Sequence, residues 1–250
     1  MSEMARRRTP LPVHVLILTV LAIAIAIALM PVTNAGDMND VTMINILTRT
    51  GTRQQCFRNL QSSIREQTHR RIRHILSVDV RPVQQCFQCK DCELIEVQKR
   101  TSGRCPYNAY LNELASRVDD GWVIILDDDA RLIAPTFLEN LSRECTRSDP
   151  NEILIYPILL GEGADEFGKG EIDMATLQVG ELDMANFCAH RSVFECVQFT
   201  EECAGDFKFL ERCHTAGYQF RFLDISVGIW ANYSGPRNGE DRDCFCSCAN

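Results

Sequence analysis

Three consecutive carboxylates, Asp127, Asp128 and Asp129, follow the apolar run Trp122–Leu126. Neighbouring carboxylates repel one another, which is costly unless a cation compensates. In open α/β sheets, ligands gather beyond the carboxyl ends of strands. Position and charge together therefore point to a bound divalent ion, with Asp127 and Asp129 as the candidate ligands. Hard oxygen donors suit Mg²⁺ or Mn²⁺ and leave coordination positions for phosphate oxygens. Alternation along an extended chain predicts Asp127 and Asp129 on one side and Asp128 on the other. The competing reading is a solvated acidic turn ahead of the next helix; the buried strand before the triplet favours the metal.

Other candidates sit at similar positions. Arg49 and Arg53 follow the apolar run Val41–Leu47, where guanidinium groups can hold phosphates bidentately. As isolated residues they would be ordinary surface charges. Asp79 closes the run Ile75–Val80 and is placed either to accept hydrogen bonds from a uracil or ribose or to make a turn. His190 follows Phe187–Ala189; a lone histidine is ordinarily structural, and a ligand or metal contact is the alternative. Trp122, Tyr156 and Phe187 read as core.

The elements that would position these residues alternate in type. Val41–Leu47, Ile75–Val80, Glu93–Val97, Trp122–Leu126, Ile153–Ile158 and Tyr218–Leu223 read as strands. Helical spacing marks Gln55–Glu66, Tyr107–Val118, Pro135–Cys145 and a segment from Asp206 through Cys213. The continuous apolar run Trp122–Leu126 is of the kind buried on both faces of a parallel sheet. The order predicts an α/β layer fold with a largely parallel sheet. Gly161 to Gly180, rich in glycine and acid, reads as a long loop or hairpin.

Composition narrows the function. The chain has 250 residues, 45% hydrophobic and 24% charged, with net charge −8; this is a globular balance, and its sign is wrong for a generic nucleic-acid binder. Arg6, Arg7 and Arg8 precede an uncharged stretch, Leu11–Met30, long enough to cross a bilayer. Its length favours an uncleaved signal anchor over a cleaved signal peptide, and the positive-inside rule sends the remainder across the membrane. The expected organisation is a basic tail and anchor over 1–36 and a globular domain over 37–250. That describes a single-pass type II membrane protein with a lumenal domain (Golgi or endoplasmic reticulum in a eukaryote), or a secreted one if the segment is cleaved. Thirteen cysteines fit an oxidising compartment. Cys86, Cys89 and Cys92 lie in an insertion over 82–92, and Cys244, Cys246 and Cys248 in a tail over 244–248. Disulfides are the favoured reading, a zinc or iron–sulfur site the alternative. Asn140 and Asn232 begin glycosylation sequons.

Several motifs occur in an order that resembles a known family. A strand ending Leu126-Asp127-Asp128-Asp129 is preceded by a helix containing Tyr110-Leu111-Asn112. The opening strand leads to Thr48-Arg49-Thr50 and Arg53, then a helix with Cys56, Asn59, Ser63, Ile64 and Gln67. Leu76-Ser77-Val78-Asp79, Asn186-Phe187-Cys188-Ala189-His190, and Gly205-Asp206 with Phe209-Leu210 follow. The set resembles the nucleotide-sugar-dependent glycosyltransferases of the GT-A fold, family 2-like, over Val41 to Asn238. The resemblance implies a Rossmann-like, mixed but mostly parallel sheet flanked by helices. It implies an acidic motif that holds Mn²⁺ or Mg²⁺ against the donor diphosphate, with Asp129 a direct ligand and Asp127 on the ribose or a metal-bound water. Thr48, Arg49, Arg53, Asp79, Asn112, Asp128 and His190 fall at donor-side positions, and Asp206 at that of a catalytic base. The expected reaction moves a sugar from a nucleoside-diphosphate sugar to a hydroxyl of a glycan or glycoconjugate, with inversion. The chain departs from the family after Asp79, where Val80, Arg81 and Pro82 stand in place of an acid and a Gly-Ser pair. It also lacks the Q-x-x-R-W motif of processive synthases. The alternatives are a sugar-phosphate nucleotidyltransferase, faintly suggested by Thr50-Gly51-Thr52-Arg53, and a non-enzymatic cysteine-rich carbohydrate-binding module.

Overall fold

The computed structural model describes residues 42–50, 53–78, 89, 91–98, 105, 107–161, 165–168 and 173–231. All of them belong to the second of two compact units, Val41–Asn250. The expected anchor, the cysteine tail, Asp79 and most of the 82–92 insertion lie outside the described residues. Among the described residues no helix is long and apolar enough to cross a membrane.

The strands are β1 (Ile44–Thr50), β2 (Ile72–Val78), β3 (Glu93–Glu96), β4 (Trp122–Ile125), β5 (Arg131–Leu132), β6 (Glu152–Ile155), β7 (Ile158–Leu160), β8 (Asp165–Phe167), β9 (Phe187–His190), β10 (Gln219–Phe222) and β11 (Ile229–Ala231). The helices are α1 (Gln54–Arg65), α2 (Asn108–Ala115), α3 (Phe137–Arg147), α4 (Arg191–Cys196) and α5 (Gly205–Thr215), with a 3₁₀ turn at Met184–Asn186. Seven strands form the main sheet in the order β10-β6-β9-β4-β1-β2-β3, and β5-β11-β7-β8 form a smaller one. In the main sheet β9 alone runs against its neighbours β4 and β6; the remaining pairs are parallel.

Side-chain alternation along the central strands creates two cores. Ile44 and Ile46 of β1 and Trp122 and Ile124 of β4 pack with Leu60 and Ile64 of α1 and Phe137, Leu138 and Leu141 of α3. Leu47, Val123 and Ile125 face the other way, onto Tyr110, Leu111 and Leu114 of α2 and Phe209 and Leu210 of α5. Burial on both faces is what makes β4 apolar throughout. In α1, buried Cys56, Phe57, Leu60 and Ile64 recur at helical spacing, leaving Gln55, Arg58 and Arg65 to solvent. Gly121, at φ +90, begins β4 so close to β1 that a Cβ there would sit 2.4 Å from the Met43 carbonyl oxygen; a side chain is excluded by sterics and by φ together.

Phe209 seats α5. Its ring stacks on Phe199 at 4.3 Å, Phe194 at 5.3 Å and Phe187 at 5.6 Å between centroids. One side chain thus joins α5, α4, β9 and the segment between the last two helices. The predicted strands and helices all form, with shifted ends: β1 starts three residues later than expected and extends to Thr50. The predicted strand Ile153–Ile158 is instead β6 followed by the separate β7. The glycine-rich region supplies β8, which pairs antiparallel with β7 just before it, while β5, β9, β11 and α4 have no counterpart among the expected elements.

Phe209→Ala should cost about 3–5 kcal/mol, the usual range for a fully buried phenylalanine. Urea unfolding measures it; a loss below about 1 kcal/mol would show that α5 is seated by other contacts.

Candidate active site

The site grows from the register of β1 against β4. Leu47 lies opposite Ile125, a constant offset of 78 residues. Continuing that offset pairs Arg49 with Asp127 on the α2 face and Thr50 with Asp128 on the α1 face. Both pairs form. Arg49 donates to Asp127 Oδ1 from Nε at 3.0 Å and from Nη2 at 2.7 Å, and to Oδ2 from Nη2 at 2.9 Å. Thr50 Oγ1 donates to Asp128 Oδ2 at 2.6 Å. The alternation expected for Asp127 and Asp128 therefore holds, but it stops there. The chain turns at this point, Ala130 N–H donating to the Asp127 carbonyl at 2.9 Å. Asp129 comes round to share Arg53 with Asp128 instead of standing beside Asp127. Asp128 is fully buried, Asp129 nearly so, and the Asp127 side chain remains 39% exposed.

Further residues close around Arg49. Its Nη1 donates to Asn108 Oδ1 at 2.9 Å, and the Tyr107 ring lies 5.1 Å from the guanidinium carbon. Burial works against the Arg49 charge, but the Asp127 carboxylate outweighs it and holds the pKa above its ordinary value. Asp206 lies in the first turn of α5 and accepts from Phe207 N–H at 2.8 Å. Ala204, not Asp206, occupies the N-cap position, in the left-handed region at φ 57. Burial raises the Asp206 pKa; Asp127 adds to the rise, while Phe207 N–H and Arg49 oppose it. Asp183 was not singled out from sequence. It caps the 3₁₀ turn, accepting from Ala185 N–H at 2.9 Å. Burial, reinforced by the charges of Asp127 and Asp206, pushes its pKa up to about 6. Burial likewise pushes Asp128 to about 7, against the pull of Arg53.

Asp127, Asp183, Asp206 and Arg49 thus share one electrostatic field at the carboxyl end of β4, with Asp128, Asp129 and Arg53 behind them. Five carboxylates face two guanidinium groups, and the raised values express that shortage of positive charge as well as burial. The donors are all hard oxygens, so the residues fit Mg²⁺ or Mn²⁺ in kind and in charge. Among the described residues no ready-made group of three metal ligands is present, because Arg49 and Arg53 already engage these carboxylates. A cation would have to share or displace an arginine.

Three candidates from sequence lie elsewhere. Thr48 is fully buried on the α1 face, where its hydroxyl pairs with His74 Nε2 at 3.0 Å; one residue of alternation separates it from Arg49. Asn112 spends both halves of its amide on Phe199, donating to the carbonyl at 2.8 Å and accepting from N–H at 2.7 Å. It clamps the segment leading to α5. His190 lies opposite Trp122, at the end of β4 remote from Asp127. Because β9 runs backwards, its start at Asp183–Phe187 approaches the carboxylates and its finish leaves them. There His190 Nδ1 caps α4, with Ser192 Oγ at 2.9 Å.

No family model matches the chain and no curated protein matches it. Solved structures do. The structure of S. aureus TarS matches with a TM-score of 0.61 and 12% identity, over 77% of this chain and 37% of that one. TarS 1-349 in complex with UDP matches at 0.60 and 12% identity, over 76% of this chain and 60% of that one. The complex of TarS 1-349 with UDP-GlcNAc matches at 0.60 and 13%, over 79% and 60%. This chain therefore spans less than two thirds of the length of each. The likeness shows the fold, a mixed, mostly parallel α/β sheet of the GT-A type.

The buried carboxylate supplies a test. The Asp128 proton is held more tightly in the folded chain, at about 7 against an ordinary 3.8. Its contribution to stability is complete below about pH 4 and is lost as pH rises through 7. Asp128→Asn should flatten the fall in stability between pH 4 and pH 7, measured by urea unfolding across that range. An unchanged slope would show that Asp128 is ionised throughout.

Proposed function

We propose that the chain is a metal-dependent glycosyltransferase that moves a sugar from a nucleoside-diphosphate sugar to a hydroxyl of a glycan or glycoconjugate, with inversion. The observation that carries the reading is the grouping of Asp127, Asp183, Asp206 and Arg49 at one strand end of a GT-A-type sheet, with Asp128, Asp129 and Arg53 directly behind. The TarS structures with UDP and UDP-GlcNAc support a uridine nucleotide sugar as the donor. Asp127 and Asp129 would hold Mn²⁺ or Mg²⁺. When bound, the ion supplies charge stabilisation for the departing diphosphate.

The chain's own residues do the rest. Arg49, locked to Asp127 and Asn108, fixes the orientation of the carboxylate nearest solvent. Arg53, partly exposed and paired with Asp128 and Asp129, brings a second guanidinium charge to the place where a phosphate would lie. Asp206 takes the acceptor proton. Its raised pKa brings a carboxylate closer to neutrality, which suits a general base. Asp183, in the same field, keeps the local charge negative and so opposes early loss of that proton. Residues 11–30 would anchor the enzyme with its catalytic domain in a secretory lumen. A nucleotidyltransferase is disfavoured by sequence alone, since the loop after β1 has one glycine, Gly51, and lacks the further glycines and the lysine that cradle a triphosphate.

Turnover of UDP-GlcNAc and other nucleotide sugars, read as released nucleoside diphosphate, tests the reading. Asp129→Asn should lower Mn²⁺-dependent turnover by at least a hundredfold with the fold intact, and chelation should do the same. Full activity in either condition would remove the metal role.

Asp206→Asn should lower kcat by about 10²–10⁴-fold, the usual range for a lost general base, with donor binding nearly unchanged. Asp183→Asn is the comparison, because asparagine keeps the cap. A larger loss there than at Asp206 would move the base to Asp183.

A further inference from the structure

The approach of α5 to Arg49 passes through one small junction. Asn108, 3% exposed, accepts from Arg49 Nη1 at 2.9 Å and donates from Nδ2 to the Glu202 carbonyl at 2.8 Å. Its own N–H donates to the Cys105 carbonyl at 3.2 Å, and Cys105 N–H donates to the Glu201 carbonyl at 3.0 Å. Cys105 and Cys203 are joined by a disulfide that closes 98 residues of chain. Immediately after Cys203 come Ala204, in the left-handed region, and Gly205, where a Cβ would fall 2.3 Å from Asn108 Nδ2. Asp206 is the next residue. Cys105 and Asn108 are therefore pressed against the segment 201–206 by one covalent bond, two hydrogen bonds and a contact that only glycine permits.

We infer that the Cys105–Cys203 disulfide is a positioning crosslink that holds Asp206 against the Arg49–Asp127 pair, so that the competence of the site depends on its redox state. This rests on the reading of Asp206 as the base. The strained Ala204 is the reason the bond matters: left-handed backbone at a non-glycine residue is unfavourable and persists only where the surroundings impose it. Free of the crosslink, residues 201–205 relax that conformation and the first turn of α5 leaves Asn108. The remainder of α5 stays seated by the Phe209 stack, which does not involve the disulfide.

The chemistry is ordinary thiol–disulfide exchange. Cys203 is exposed and Cys105 is buried. A small thiol such as glutathione attacks, as its thiolate, the Cys203 sulfur and displaces Cys105 as a thiolate, which takes up a proton. A second thiol then releases Cys203 as a thiol, and the two small thiols leave as their disulfide.

The test compares oxidised and glutathione-reduced full-length protein, with the thiol count read by mass spectrometry. Reduction should remove hydrogen-exchange protection at amides 207 and 208, whose acceptors are Asp206 Oδ1 and the Ala204 carbonyl, and leave that of β4 intact. It should lower kcat for UDP-GlcNAc at least tenfold and change its KM less than threefold, because Arg49 keeps its bonds to Asp127. Reoxidation should restore both. Cys105→Ser/Cys203→Ser should resemble the reduced enzyme and no longer respond, whereas Cys89→Ser/Cys92→Ser, which removes the other disulfide among the described residues, should respond like the parent. The inference is overturned if protection at 207 and 208 survives reduction. It is equally overturned if kcat is unaffected, or falls only in proportion to the fraction unfolded. Should no nucleotide sugar turn over in either redox state, the assignment of function fails, and the hydrogen-exchange comparison still decides whether the crosslink holds this helix start.

Discussion

The balance of charge at the end of β4 governs this structure. Three successive carboxylates leave a fully apolar strand and cannot all reach water: Asp128 is fully buried and Asp129 nearly so. The arrangement stands because β1 ends alongside and delivers Thr50, Arg49 and then Arg53 in matching register. Removing a guanidinium would leave buried negative charge uncompensated, a situation that ordinarily costs several kcal/mol. Even with both arginines present the compensation is incomplete. Protons are retained on Asp128 and Asp183 to values near neutrality, and that deficit is what a divalent cation with a diphosphate could use.

The rest of the fold serves to bring further groups to this point. Parallel β1 and β4 send their carboxyl ends to one edge. Reversed β9 sends its beginning to the same edge, so Asp183 arrives from a strand that runs the other way. The Phe209 stack fixes the height of α5, and the contact between Gly205 and Asn108 fixes its approach. Asn112 secures the connecting segment from the side by gripping Phe199 through both amide groups. A polar residue on the inner face of α2 thus acts on the site through the backbone of another element.

Much of this was legible in the residues. An apolar pentapeptide followed by three aspartates marks a central strand end, and Arg49 and Arg53 follow the neighbouring strand at the distance needed to meet it. Other parts were not. The extended alternation that separates Asp127 from Asp128 does not predict a turn that carries Asp129 to Arg53. His190 had the right chemistry, but its location depends on the direction of β9, which is a tertiary property that four residues do not encode. Asp183 follows directly on a glycine-rich acidic stretch, and nothing in its spacing distinguishes it from Asp173 or Glu181; only the packing of the 3₁₀ turn beneath Tyr156 turns it inward. The short strands β5, β7, β8 and β11 owe their existence to pairing with one another, since two or three residues carry no period of their own.

The claim that this strand end is a cation-assisted diphosphate site is tested most directly by titrating the full-length protein with UDP by calorimetry, with and without Mn²⁺. The account predicts saturable binding with one site per chain that requires Mn²⁺ and is lost in Asp127→Asn. Binding of equal strength without the metal, or none at any Mn²⁺ concentration in folded protein, would contradict it.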